Sequence, residues 1–452
     1  MSDVRSFGAA GDGQTDDTDA IEHAIQDGDG LIEFPPGSYR ISRTIEMHLD
    51  GGPLRSVSGA AGTARLVMTG SGPALRIVGT HGGTAEPGTV RPELWQHERF
   101  PTISGLEIVG DHPESDGIEL ARTMQTTIQS VLIRRVRYGV RLSERNRNFL
   151  LTASHIYDNA AIGVFIDRCN LHQAIISGCH ISYNRQAGIK SVASDLHNLQ
   201  ITGNDIEYND QSEDPPSAEL WFDAAEGAAS EITIASNTIQ ARPSPGGTNL
   251  RIHGAVDDEG RLTARLITVT GNVLGSQDTN VDVRGAERVS ITGNTIYDGR
   301  TMGIYAEDCT TMSIGSNTFG WSYGPRREMT DSVRLIRCRG VTLSGLAFSE
   351  AAYGSAANGA ALTLENCEDS AVSACQITSP RWRGIELRGC RRCQVQSCSI
   401  VERHEPARMI EAIVVVGGAD NLVHDNLIRS PSGDAIRIVG EVADLANNVV
   451  AP

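Results

Sequence analysis

Ile291-Thr292-Gly293-Asn294 repeats a phrase that also reads Ile201-Thr202-Gly203-Asn204 and Val269-Thr270-Gly271-Asn272, and in weaker form Ile234-Ala235-Ser236-Asn237, Ile314-Gly315-Ser316-Asn317 and Val423-His424-Asp425-Asn426. One apolar-polar-small-Asn unit returning every 22 to 35 residues marks a solenoid in which each copy is one turn. Followed in both directions, the phrase gives rungs at Leu106, Val131, Ser154, Cys179, Asn204, Asn237, Asn272, Asn294, Asn317, Leu346, Cys375, Cys398, Asn426 and Asn448. A second phrase follows each rung, as in Gly117-Ile118-Glu119-Leu120, Gly163-Val164-Phe165-Ile166 and Gly384-Ile385-Glu386-Leu387. Both alternate apolar and polar residues with the strand period and end in turn residues.

These features predict an all-β chain, a right-handed parallel β-helix of about 14 coils. At about 4.8 Å per coil it would measure on the order of 65 Å. Asn is expected to take the left-handed bend itself and to bond its equivalent one coil away. Residues 101–452 read as the regular solenoid, and 1–100 as a cap with the first irregular coils. The whole reads as one continuous domain.

Composition fits a narrow core. Of 452 residues, 39% are hydrophobic but only 5% aromatic, and 48 are Gly, which suits aliphatic filling with tight corners. With 39 basic against 56 acidic residues the net charge is -17, which opposes a polyanionic partner, so no nucleic acid is expected. No apolar run reaches the roughly 20 residues of a membrane span, and Met1-Ser2-Asp3-Val4-Arg5 lacks a secretory layout. The expectation is therefore no membrane and a cytoplasmic location, or an extracellular one if a leader was removed or release is by lysis. The nine cysteines fall at repeat positions and read as buried free thiols. Cys390 and Cys393 form a C-x-x-C without a second pair, so no metal and no cofactor are expected.

Ahead of the repeats stand Phe7-Gly8-Ala9-Ala10-Gly11-Asp12-Gly13-Gln14-Thr15-Asp16-Asp17-Thr18-Asp19-Ala20-Ile21 and Gly30-Leu31-Ile32-Glu33-Phe34-Pro35-Pro36-Gly37-Ser38-Tyr39-Arg40-Ile41. Thr15 or Asp16 can cap a helix over about 16–27 whose apolar face is Ala20, Ile21, Ala24 and Ile25, a plug for the open end of a solenoid. The Asp cluster fails the calcium-loop pattern, because His23 stands where a Glu is needed. The stretch from Phe7 to Ile41 resembles the signature that opens one branch of the pectate-lyase-like superfamily, the branch with polygalacturonase-like proteins and many phage tailspikes. That resemblance implies a right-handed β-helix, often a homotrimer, acting on a polysaccharide with acidic catalysts on the solenoid face. The chain departs from the active branches in lacking the ordered Asn-Thr-Asp, Asp-Asp, Gly-His-Gly and Arg-Ile-Lys motifs, Trp-Ile-Asp-His, and Asp-Pro-His-Asp. The likeness therefore does not carry a particular reaction with it.

In the second phrase the apolar residues point inward and those between them outward. Stacked in order, the outward row includes Glu119, Arg141, Phe165, Lys190, Trp221, Arg251, Asp282, Tyr305, Arg334, Thr363 and Glu386, and two residues further on Asp167, Asp223, His253, Arg284 and Glu307. Phe165, Trp221 and Tyr305 offer ring faces for sugars. Asp223, Asp282 and Glu307 are the candidate catalytic carboxylates, and Asp167, Lys190, Arg251, His253 and Arg284 candidate binding groups. Long coils carrying 211–216, 241–247 and 256–261 flank this stretch, with smaller insertions at 321–330, 350–358 and 402–409, and such loops build binding walls. The plain alternative is a solvated face with cross-strand ion pairs. His81, Trp95 and His97 in 80–100 read as a packed loop or a subunit contact.

The first expectation is an inverting glycoside hydrolase using an acid and base about 8–10 Å apart. The second is a lyase or epimerase on a uronic-acid polymer, with Lys190, Arg251, His253 or Tyr305 removing a proton. The third is a non-catalytic carbohydrate-binding or structural shaft. An oligo- or polysaccharide is the partner common to the three.

Overall fold

The computed structural model describes residues 2–83, 86–210, 216–320, 330, 332–429, 431–440 and 443–451. Two compact units divide the chain, Met1–Thr233 and Ile234–Pro452. Within each, a coil contributes three short parallel strands, as in Ser115–Ala121, Thr127–Gln129 and Leu132–Arg134. Alternation does the sorting: Ile118, Val140, Val164, Ile189 and Leu220 fall on successive rungs, all with no exposure, while the residues between them face out.

The third strand of each coil counts the turns. The first unit holds eight: Asp12–Asp16, Gly37–Ile41, Ala64–Met68, Leu106–Gly110, Leu132–Arg134, His155–Tyr157, His180–Ser182 and Asp205–Glu207. The second holds nine, from Thr238–Gln240 to Val449–Ala451. The total is therefore 17 turns, not 14. The fourteen rungs from Leu106 onward are all present, and the three extra turns lie in 12–68. They escaped the spacing because an excursion over 79–101 stretches one coil, so that Ala64 pairs directly with Leu106.

The small residue before the rung, and not the Asn expected to do so, takes the left-handed bend. Every rung is preceded by a left-handed residue, from Gly105 (φ 66°) and Ser130 (φ 52°) through Gly271 (φ 63°) and Gly293 (φ 68°) to Asn447 (φ 51°), whereas the Asn at the rung is not left-handed. The small residue turns the chain, because Gly bears that conformation without strain. Asn is freed to point inward. Asn272 donates from Nδ2 to Asn294 Oδ1 at 3.0 Å, Asn294 to Asn317 at 3.0 Å, and Asn426 to Asn448 at 2.9 Å, so one side chain satisfies buried groups of two coils.

The N-terminal helix runs Thr18–Asp27, and its buried face is Thr18, Ile21, Ala24 and Ile25, with Thr18 in place of Ala20. The helix is preceded by Asp17 as its N-cap, not Thr15 or Asp16, and the Asp17 side chain turns away to accept from the Ala10 and Gly11 amides at 2.6 and 3.1 Å, while Asp16 accepts from the Thr18 amide at 3.1 Å and Asp12 from Gln14 and Thr15. The rest of the Asp cluster is engaged as well, Asp16 accepting from the Ser42 hydroxyl at 2.6 Å and Asp19 pairing with Arg43 at 2.5 Å. All nine cysteines are free and buried. Among the described residues, no helix is long and apolar enough to cross a membrane.

Candidate functional site

The outward row forms with the predicted register. In the first unit Glu119 pairs with Arg141, Arg141 with Phe165, Phe165 with Lys190 and Lys190 with Trp221, while Val192 pairs with Asp223. In the second, Arg251 pairs with Asp282 and Asp282 with Tyr305, and beside them His253 with Arg284 and Arg284 with Glu307. The candidates therefore fall into two groups. Phe165, Asp167, Lys190, Trp221 and Asp223 belong to the first unit, and Arg251, His253, Asp282, Arg284, Tyr305 and Glu307 to the second.

The row is less open than the pattern implied. Asp167, Lys190, Arg251 and Asp282 are all buried. Each ring also has a neighbour against it: Lys190 Nζ sits 3.7 Å from the centre of the Trp221 ring, Tyr138 lies 4.9 Å from Phe165, and the Arg284 guanidinium is 5.0 Å from Tyr305. Only Lys190 is the register partner of its ring, set over Trp221 by the coil spacing of about 4.8 Å, whereas Tyr138 and Arg284 reach Phe165 and Tyr305 diagonally from the adjacent coil. In the first unit Asp167 is consumed by Arg141 at 2.5 Å and Arg168 at 2.9 Å, and Asp223 accepts from the Ala225 amide at 3.2 Å. The insertions at 211–215 and 321–329 lie outside the described residues.

The second unit holds a connected network. His253 Nε2 lies 3.1 Å from Asp282 Oδ2, and Arg284 donates to both oxygens of Asp282 at 2.9 and 3.1 Å. Burial pushes the Asp282 carboxyl up, but the hydrogen bonds from His253 and Arg284 outweigh it and hold the group below its ordinary range. The Tyr305 hydroxyl donates to Glu307 Oε2 at 2.8 Å, and Arg337 holds Glu307 Oε1 at 2.5 Å. Burial, with the hydrogen bond to Glu307, pushes the Tyr305 phenol up to about 12. Arg251 gives NH2 to the Gly246 carbonyl at 2.5 Å, tying the 241–247 loop to the row. His253 and Tyr305 remain part-exposed while Asp282 does not, so the imidazole and the phenol are the members of the network that face solvent.

The spacing did not single out Arg337, which fixes Glu307, or a groove of about 580 Å³ on another face of the first unit. Phe100, Leu150, Ile175 and a row of amides including Asn148 and Gln173 line this groove. Asn148 donates to Gln173 at 2.8 Å, and Gln125, Asn148, Gln173 and Asn198 are all left-handed, one per coil. The same face carries His172 and His197 on adjacent rungs. Burial, with the neighbouring His197, lowers His172, and burial with Arg145 brings His81 down to about 4.

Sequence comparison gives a profile described as "Right handed beta helix region" over residues 96–246 and 279–450, and one described as "Rhamnogalacturonase A/epimerase, pectate lyase-like" over 1–70. The chain is similar to alginate lyase 7 of Azotobacter vinelandii, at 29% identity over 182 residues, covering 36% of this chain and 20% of that protein. The chain thus spans about one fifth of that relative's length. Among solved structures, bacteriophage phi29 gene product 12 matches with a TM-score of 0.51 at 12% identity, over 98% of this chain and 56% of that one. The A-module of the Azotobacter vinelandii mannuronan C-5 epimerase AlgE4 matches with a TM-score of 0.43 at 15% identity, over the full length of both chains. At 12% identity the match to gene product 12 speaks to the fold alone.

Proposed function

Because this chain belongs to the right-handed β-helix family of the pectate-lyase-like superfamily, we infer that it acts on a polysaccharide, as a lyase or epimerase of a uronic-acid polymer. The observation that carries this reading is the chain of contacts His253, Asp282, Arg284, Tyr305, Glu307. A hydrolase needs a carboxylic acid kept protonated at neutral pH. Asp282 is held in the opposite state. What the network offers instead is a base, an acid and a cation.

Proton abstraction beside a uronate carboxylate needs those three groups. His253, oriented by Asp282, takes the C5 proton on its free Nδ1. Arg284 neutralises the charge that develops on the carboxylate. Tyr305, protonated across the neutral range, returns a proton. Delivered to the departing O4, that proton completes elimination and leaves an unsaturated sugar; delivered to the opposite face of C5, it completes epimerisation. The alginate lyase among the relatives supports a uronate polymer as the substrate class.

The test is incubation with polymannuronate, alginate and polygalacturonate. Growing ultraviolet absorbance marks elimination, and altered C5 stereochemistry by NMR without chain scission marks epimerisation. New reducing ends with neither signal would overturn the reading in favour of hydrolysis.

A further inference from the structure

His172 and His197 are register partners on the strands Ile162–Ser177 and Asp195–Thr202, and their rings stack 4.7 Å apart at an interplanar angle of 9°. Asp195 lies two residues before His197, with its side chain bent back so that Oδ1 is 3.2 Å from His197 Nε2. One donor atom from each of the three residues falls within 4.8 Å of the others. Among the described residues, this is the one group of three His, Cys, Asp or Glu side chains with that geometry.

The surroundings orient these atoms. Asn170 donates to Asp195 Oδ2 at 2.7 Å, which fixes the carboxylate and leaves Oδ1 toward the imidazoles. Ser230 Oγ lies 2.9 Å from His197 Nδ1 and 3.2 Å from the Leu196 carbonyl. A serine donating to that carbonyl accepts from Nδ1–H, which leaves the Nε2 lone pair facing the Asp195 carboxylate. Two acceptors in contact need a proton or a metal cation between them. An imidazole steadied at one nitrogen, with the other facing a carboxylate, is the arrangement of metal-ligating histidines. A third imidazole stands within electrostatic reach: His81, 2% exposed, has a buried Nδ1 with no hydrogen-bond partner. The nearby guanidiniums hydrogen-bond outside the cluster, Arg145 to the Gly83 carbonyl at 2.5 Å and Arg147 to Asn148 at 3.2 Å, while their charges still act on His172.

We propose that His172, Asp195 and His197 form a divalent zinc site on the first unit, bridging two coils. Two imidazoles and one carboxylate suit Zn²⁺ and its first-row neighbours, whereas Ca²⁺ and Mg²⁺ require oxygen donors. Bonds of about 2.0–2.2 Å require the donors to draw together by roughly 1 Å, which tilting the two rings toward each other supplies. Three protein ligands leave one position open to water or to His81.

Zn²⁺ is titrated calorimetrically into the full chain freed of metal by chelation, with Co²⁺ as the spectroscopic probe. One equivalent is expected to bind, and His172→Gln, His197→Gln and Asp195→Asn each weaken it by at least about tenfold. Excess Mg²⁺ leaves binding unchanged, and Co²⁺ develops the intense visible bands of a four-coordinate ion. A built-in control is His155 and His180, also stacked on adjacent rungs at 5.1 Å with Asp205 3.1 Å from His180. Their double Gln variant is expected to bind like the parent. Circular dichroism of each variant without metal establishes folding, and the Co²⁺ spectrum of the unaltered protein stands independently of any variant. Binding that is absent, indifferent to the three substitutions, or lost with His155 and His180 instead would overturn the site. Neither readout involves glycan turnover, so failure here leaves the lyase or epimerase reading intact.

Discussion

His253 Nε2 meets Asp282 Oδ2 at 3.1 Å across adjacent coils of the second unit, and the aspartate is buried while the imidazole reaches solvent. A buried carboxylate behind a reachable imidazole fixes the orientation and tautomer of the ring that takes the proton. Asp282→Asn keeps a side chain of the same size but loses the charge. The expected result is a fall in kcat of about 10²–10⁴-fold with KM little changed, measured from initial rates on the uronate polymer that proves active. Unchanged kcat would remove Asp282 and His253 from the mechanism.

Tyr305 bears on the same reaction from the other side. Its phenol is pushed up to about 12, so it stays protonated and able to donate through the whole working range. Tyr305→Phe keeps the ring beside Arg284 and removes the proton. It is expected to lower kcat by about 10²-fold or more. A full-rate Phe variant assigns proton return to another group.

Asp282 also links stability to acid. Its folded pKa lies below the unfolded value of about 3.9. A depressed carboxylate adds stability that is fully present above the unfolded pKa and is lost as pH falls through the folded one. Between pH 7 and pH 3, therefore, the melting temperature of the parent should drop further than that of Asp282→Asn. Equal drops, followed by circular dichroism, would show that the depression does not act on the fold.

How far the sequence could be read follows from what a period encodes. A repeat states which residues share a rung, and pairs such as Asp282 with Tyr305 and Lys190 with Trp221 were legible for that reason. It is silent on rotamers, and rotamers decide that Lys190 lies over the Trp221 ring and that Arg337 closes on Glu307. Three turns were hidden because the 79–101 excursion broke the spacing before Leu106. His172 and His197 were within reach, since they stand 25 residues apart, the ladder's own gap over Cys179 to Asn204. They lie on the strands Ile162–Ser177 and Asp195–Thr202 just ahead of the Cys179 and Asn204 rungs, outside the row that the second phrase defines.

The ladder itself gives the last prediction. Asn294 Oδ1 accepts from the Asn272 amide at 2.9 Å and from Asn272 Nδ2 at 3.0 Å, while its own Nδ2 serves the Val269 carbonyl at 3.1 Å and Asn317 Oδ1 at 3.0 Å. With Ala in its place, these buried donors and acceptors are stranded where water does not reach, at a cost of about 1–3 kcal/mol for each group left unpaired. Asn294→Ala is thus expected to destabilise by about 2–5 kcal/mol, near the upper end of single-residue effects. Gly293→Ala, one position away, tests a different cause: the residue is left-handed at φ 68°, and a Cβ there meets only Thr270 Oγ1 at 3.9 Å. Its penalty is backbone strain alone, about 1–2 kcal/mol. Urea unfolding of the two variants should therefore give the larger fall in midpoint for Asn294→Ala. The reverse order would mean that the turn, and not the amide ladder, carries the stability of the repeat.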